Sequence, residues 1–164
     1  MKAMEAIQKA MNAYEQVSGL RSYFVNADNA TYDGAQERNY FCKCFKTSTK
    51  AVALCDEVEA EYVKSAVESN EVQTFACHAG VVKWTVPVHI GNVKGAIISE
   101  GVITGTQIEN SEEWVAKLSE DFNVSRSILL ENYDKIKVMN EDQAQASIEV
   151  LQKLLDFYAK YVEE

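Results

Sequence analysis

Residues 77–102, CHAGVVKWTVPVHIGNVKGAIISEGV, decide the fold. Thr85 to Ile90 and Lys94 to Thr104 are rich in β-branched and aliphatic residues, and Gly91-Asn92 between them is the two-residue cue of a tight hairpin. The turn Cys77-His78-Ala79-Gly80 precedes them, and Val72 to Ala76 reads as a further strand. Nearer the N-terminus, Ser22 to Val25 reads as a strand closed by the polar turn Asn26-Ala27-Asp28-Asn29, with Ala30-Thr31-Tyr32 as its return. Helical patterns surround these strands. Met4, Ile7, Met11, Tyr14 and Val17 recur at helical spacing before Gly19, a residue suited to end a helix. Ala51, Leu54, Cys55, Val58, Tyr62, Ala66 and Val67 trace a second stripe between Thr47 and Ser69, predicting one long helix or two short ones. Beyond Ser111, read as a cap before Glu112-Glu113, the spacing predicts a helix around Ser125 to Asn132. A closing helix then starts at Asn140, with Gln143 three residues on, and buries Ile148, Leu151, Leu155, Tyr158 and Val162. The pattern predicts an α+β domain over 1–164, with an antiparallel sheet of about five strands flanked by N- and C-terminal helices. No repeat, linker or low-complexity tract argues for a second domain.

Composition narrows the function classes. With 164 residues, 47% apolar, and a single Pro, the chain is long enough to bury a core without disulfides. A net charge of −9 repels phosphate backbones, and no basic stripe interrupts it, so direct nucleic-acid binding is not expected. The opening MKAMEAIQKAMNAYEQV lacks the apolar stretch and small-residue cleavage site of an export signal, and nowhere do the apolar residues run long enough to span a bilayer. The expected location is cytoplasmic. In that reducing compartment the four cysteines read as thiols or metal ligands.

Those cysteines form the pattern C-x-C-x10-C-x21-C from Cys42 through Cys44 and Cys55 to Cys77, with His78 beside the last. Soft ligands in that number suit a zinc ion or an iron-sulfur cluster. Against this, no C-x2-C knuckle is present, and a buried Cys commonly behaves as a small hydrophobe. Both readings stay open. His78 opens a Gly-containing turn, where its ring either faces a pocket, caps backbone groups or binds metal, while His89 inside an alternating strand reads as an ordinary residue. Tyr40, Phe41, Phe75 and Trp84 line either a pocket or the core. Asp56, Glu57 and Glu59 read as a solvated helix face rather than an acid-base pair. Neither a phosphate-binding glycine loop nor a nucleophile elbow occurs, and adjacent Cys77 and His78 point apart in extended chain. No enzymatic turnover is expected.

Taken in order, these landmarks resemble the PocR sensory domain of bacterial signalling proteins. The carriers are IQKAMNAYEQVSGLRSYFVNADNATY at the start, Phe41-Cys42, Cys55 with Glu59 four positions on, Cys77-His78-Ala79-Gly80, Val86-Pro87-Val88, the hairpin glycines Gly91 and Gly95, and VMNEDQAQASIEVLQKLLDFYAKYV at the end. The resemblance runs in register over nearly the whole chain. It implies a PAS-like sheet and a sensor of simple hydrocarbon derivatives such as small diols, with Cys42, Cys55 and Cys77 as the landmark thiols. Related proteins join such a domain to an output module, so an output module of the same protein or a separate signalling partner is implied.

Two departures from the family pattern change the chemistry. Lys83 stands where an Asp is usual, and Glu100-Gly101 where Gly-Gln is usual. Turned inward, Lys83 and Glu100 would pair with each other or with a charged ligand; at a strand end they would face solvent. Two functions from different classes follow. One is a small-molecule sensor for an alcohol, diol or related metabolite, with Phe41, Cys42, Cys55, Cys77, His78, Trp84 and Glu100 at the ligand and the terminal helices carrying the signal, as a homodimer. The other is a redox-sensing module in which Cys42, Cys55 and Cys77, with Cys44 or His78 as fourth ligand, hold zinc or an iron-sulfur cluster.

Overall fold

The computed structural model of the chain describes residues 1–28, 32–34 and 39–163, the three residues 32–34 as backbone only. Its centre is an antiparallel sheet in the order β2-β1-β5-β4-β3. The body of the sheet is β1 (Ser22–Asn26), β5 (Val93–Ser99), β4 (Val82–Ile90) and β3 (Gln73–Ala76), and the short β2 (Tyr32–Gly34) edges it. The hairpin read from Gly91-Asn92 joins β4 to β5 with Ile90 opposite Val93. In the first hairpin, Ala30 and Thr31 of the predicted return, with Asn29 of its turn, lie outside the described residues. The predicted strand from Lys94 to Thr104 is cut short: β5 ends at Ser99, and Gly101 is followed by isolated bridges at Val102 and Ile103.

Helices cover both sheet faces. On one lie α1 (Ala3–Ser18) and α7 (Glu141–Ala159), whose Ile7, Met11, Ile148 and Leu151 pack on Phe24, Trp84, Val86, Val88 and Ile97. Gly19 ends α1 in the left-handed conformation at φ 72°, as its position predicts. Val17 is a correction: it lies 68% exposed, because the stripe turns off the sheet in the last turn. The Asn140–Gln143 capping box opens α7 with both reciprocal bonds made. On the other face lies α3 (Thr49–Ser69), one continuous helix that sets Val63 and Ala66 on Tyr23, Val25, Ala96 and Ile98.

A third cluster sits at the end of the sheet beneath α2 (Tyr40–Phe45), α5 (Ser111–Phe122) and α6 (Arg126–Tyr133). Asn39, not an obvious signal, starts α2 by accepting from the Cys42 amide at 2.8 Å. Ser111 proves to be the first residue of α5, which follows directly on a short α4 (Gly105–Glu109) capped by a Thr104–Gln107 box. Among the described residues no helix is long and apolar enough to cross a membrane.

Candidate functional site

Strand β4 divides its side chains between the two faces. Trp84, Val86 and Val88 enter the α1–α7 core, while Lys83 and Thr85 face α3. From α3, the residues Ala51, Cys55, Glu59, Val63 and Ala66 form the buried line against the sheet. A lysine and a glutamate therefore meet inside the protein: Lys83 Nζ donates to Glu59 Oε1 at 2.8 Å, with the two residues only 6% and 2% exposed. The solvated reading of Glu59 is overturned by this pairing. Asp56 and Glu57 do remain exposed.

Burial alone would drive the Lys83 ammonium toward its neutral form, but the acidic side chains of Tyr23, Glu59 and Cys42 around it prevail. Its pKa is held well above the ordinary lysine value, so this amine is a fixed cation and a hydrogen-bond donor, not a nucleophile. The walls near it are tied to one another. Phe75 stands opposite Lys83 in the β3–β4 ladder and stacks on Tyr62 with ring centroids 4.2 Å apart, and Thr85 Oγ1 donates to the Tyr62 carbonyl at 3.2 Å.

Glu100 takes a different partner. Going from Thr85 to Val82 covers three steps on β4, whereas the matching path from Ile98 to Val102 covers four. The extra residue makes a bulge that turns Glu100 away from Lys83 and toward β1. Its carboxylate accepts from the Arg21 amide at 3.0 Å and from Arg21 Nη2 at 2.8 Å, while its own amide donates to the Arg21 carbonyl. Lys83 and Glu100 thus neither face solvent freely nor pair with each other; each has found its own opposite charge.

The other predicted site residues fall into three groups. Phe41 is fully buried in the cluster under α2, where its ring meets Tyr133 edge-on at 5.4 Å. Cys55 lies in that same cluster, with Cys42, Cys44 and Cys77 packed against it partly buried. The four thiols share a neighbourhood, yet among the described residues no three of His, Cys, Asp and Glu gather closely enough to hold a metal ion. The ligand set Cys42, Cys55 and Cys77 with Cys44 or His78 therefore receives no support from the geometry. Cys44 instead accepts from Asn132 Nδ2 at 3.5 Å.

Cys77 and the exposed His78 line a cleft of about 400 Å³ between the start of α3 and α5. The turn that carries them is clamped: Trp114 Nε1 donates to the Ala79 carbonyl at 2.9 Å and Gln107 Nε2 to the Gly80 carbonyl at 2.6 Å. Gly80 has φ 74°, and a methyl group there would overlap the Trp114 ring, so both backbone shape and packing require glycine. Trp84 belongs to neither group. It is fully buried on the opposite sheet face, where Nε1 donates to Tyr14 Oη at 3.2 Å and Tyr14 in turn bonds Ser99 Oγ at 2.8 Å. His89 is exposed on β4.

Residues that the sequence reading passed over include Tyr23, Tyr62 and Tyr133. Among the described residues Tyr133 Oη is buried with no hydrogen-bond partner, and burial pushes its pKa up to about 12. The signal for Glu59 was present, since it continues the four-residue spacing of Cys55 and Val63 on α3.

Comparison with known proteins bears on the arrangement as a whole. The family model described as the sensory domain found in PocR matches residues 3–162, spanning every described helix and strand. Nothing matches among curated proteins or among solved structures.

Proposed function

The chain belongs to the PocR sensory-domain family, and on that premise we propose that it senses a small alcohol, diol or related polar metabolite on the α3 face of its sheet. The observation that carries this reading is the buried Lys83–Glu59 pair. Two charges removed from water cost several kcal/mol each before their attraction returns anything, and apolar residues of similar volume commonly pack as well or better. A fixed ammonium beside a carboxylate offers a donor and an acceptor side by side, the pattern that neighbouring hydroxyl groups would satisfy. Cys42, close enough to Lys83 to act on its charge, and Cys55, one turn from Glu59 on α3, are the thiols beside that pair in this reading. Glu100, committed to Arg21, acts as a brace for the sheet end rather than as a ligand contact.

The signal route in this reading is short. Lys83 and Trp84 are adjacent but face opposite sides of the sheet, so a ligand that shifts Lys83 shifts the Trp84–Tyr14–Ser99 bonds on α1. Helices α1 and α7 then pass the change on as a homodimer and to a separate output partner; the exposed Val17, Phe157 and Tyr161 support such a surface. The unit acts as one sensory domain over 1–164, in the cytoplasm, without catalysis and without touching nucleic acid.

The test is thermal shift with small diols, alcohols and short carboxylates on the parent and on Lys83→Met/Glu59→Leu. The parent should be stabilised by at least one neutral polyol and the double variant by none. Equal responses would remove the ion pair from recognition. Sedimentation of the parent as a strict monomer would remove the dimer.

A further inference from the structure

We propose that the cleft beside the Cys77–Gly80 turn is a second binding site, for a small organic anion with an apolar body such as an aromatic carboxylate, separate from the Lys83–Glu59 face. Its volume of about 400 Å³ is that of a cavity able to hold a ring and a carboxylate. The floor and one wall are apolar: Leu54 comes from α3, and Trp114, Leu118 and Phe122 come from successive turns of α5. The Trp114 wall is already fixed by its bond to Ala79 and by its contact with Gly80, so little order has to be gained on binding.

The rim carries the sign. Lys50 and Lys117 bring ammonium groups and His78 an imidazole, against the single carboxylate of Asp121. Lys50 is held in place, its Nζ donating to the Asp121 carbonyl at 3.1 Å and lying 5.1 Å from the Phe122 ring centroid. Among the described residues neither lysine forms an ion pair, Asp121 included. In a chain of net charge −9, a concave apolar site with two unpaired ammonium groups at its mouth favours an anion over the surface around it. Cys77 adds a thiol to the wall and needs no covalent part.

The protein carries its own reporter. Of its two tryptophans, Trp114 lines the cleft and Trp84 is buried on the far sheet face against Tyr14, so two indole N–H signals separate the site from the core. Sodium benzoate titrated into the full chain should shift the Trp114 indole signal saturably, with a dissociation constant in the millimolar range, and leave Trp84 in place. Benzyl alcohol, of similar shape and no charge, should bind about tenfold more weakly, and Lys117→Glu should weaken benzoate by about the same factor. Lys160→Glu makes the same change in net charge beyond the end of α7 and should leave affinity unaltered. An unchanged Trp84 signal shows that each variant is folded. The proposal fails if no saturable Trp114 shift occurs, if benzyl alcohol binds as well as benzoate, or if Lys160→Glu does as much harm as Lys117→Glu. None of these outcomes depends on whether a ligand binds at Lys83.

Discussion

On the α1–α7 face of the sheet, Trp84, Val86 and Val88 of β4 meet the apolar sides of two helices, and the few polar atoms there bond to one another in the chain Trp84–Tyr14–Ser99. On the α3 face, Lys83 and Thr85 of the same strand meet Glu59 and the Tyr62 carbonyl, and the packing between α3 and the sheet involves small residues such as Ala66 and Ala96. One strand thus faces a closed apolar core and a charged interior one residue apart. The contrast teaches where tolerance lies: the first face is specified by shape, so a lost methylene is felt as a cavity, while the second is specified by charge, so it answers to pairing more than to volume. The two kinds of interior are separated by the two-residue period of a β-strand rather than by distance.

The largest effect should come from splitting the buried pair. Lys83→Met or Glu59→Gln alone leaves the other partner's charge or polar group in the interior without its counterpart, and each should cost about 3–5 kcal/mol. Lys83→Met/Glu59→Leu should recover most of that loss or exceed the parent, since both charges are gone and the volume is kept. Urea unfolding at neutral pH decides it, through the midpoint at constant slope. Single variants within about 1 kcal/mol of the parent would show that the α3 face is not specified by charge.

Next in size is the polar chain of the opposite face. Tyr14→Phe keeps the ring but leaves the Trp84 indole N–H and the Ser99 hydroxyl without the oxygen they share, at a cost of about 1–3 kcal/mol. Tyr14→Phe/Ser99→Ala should be less damaging than the sum of the two changes, because the second removes one of the two groups that lost the shared oxygen, Ser99 Oγ keeping only its bond of 3.4 Å to the Glu100 carbonyl. Additive losses in the same unfolding assay would mean that the bonds are not coupled.

A smaller effect, of opposite sign, is expected at Tyr133, whose hydroxyl is buried without a partner among the described residues. Tyr133→Phe should stabilise by about 1 kcal/mol, the desolvation cost of that group. Its pKa is raised from 10.0 to about 12 in the folded protein, so its neutral form favours the fold: that contribution is whole below pH 10.0 and is lost as pH rises through about 12. Lys83 and Tyr14 are shifted in the same direction and add to the same alkaline loss. Stability followed between pH 9 and pH 12 should fall less steeply in Tyr133→Phe than in the parent; identical slopes would place the titration elsewhere.

The fold was legible wherever a period ran long enough. The α1 stripe with Gly19, the hairpin at Gly91-Asn92 and the Asn140–Gln143 box are local signals, and local physics decides them. The short helices α2 and α4, six and five residues long, give too few turns for a period, and α2 begins in an aromatic Tyr40-Phe41 pair that does not announce a helix. The site was legible only in part. The four thiols do share one apolar neighbourhood, but sharing a neighbourhood does not make a metal shell. Which charge meets which depends on pairing across the sheet: Glu59 is 24 positions from Lys83, and the bulge that sends Glu100 to Arg21 leaves no mark in composition. Trp84 stands near the cysteine landmarks in sequence and suits a pocket or a core equally as an aromatic, while alternation along β4 sends it to the face opposite Lys83.

The smallest effect should come from the second ion pair, and it sharpens the contrast between buried and half-buried charge. The side chains of Arg21 and Glu100 are 29% and 13% exposed, against 7% and 3% for Lys83 and Glu59. Glu100→Gln keeps an acceptor for the Arg21 amide and removes only the charge, so it should cost about 0.5–1 kcal/mol. That difference should largely vanish in about 1 M sodium chloride, where the screening length falls to about 3 Å and water reaches the pair. The loss in Lys83→Met should persist under the same conditions, because the Glu59 side chain is only 3% exposed. Parallel unfolding series for the two variants at low and high salt make the comparison directly. If both losses shrink together, the Lys83–Glu59 pair is hydrated in the folded protein and the α3 face is open to solvent; if neither shrinks, the Arg21–Glu100 brace is as well sealed as the interior pair.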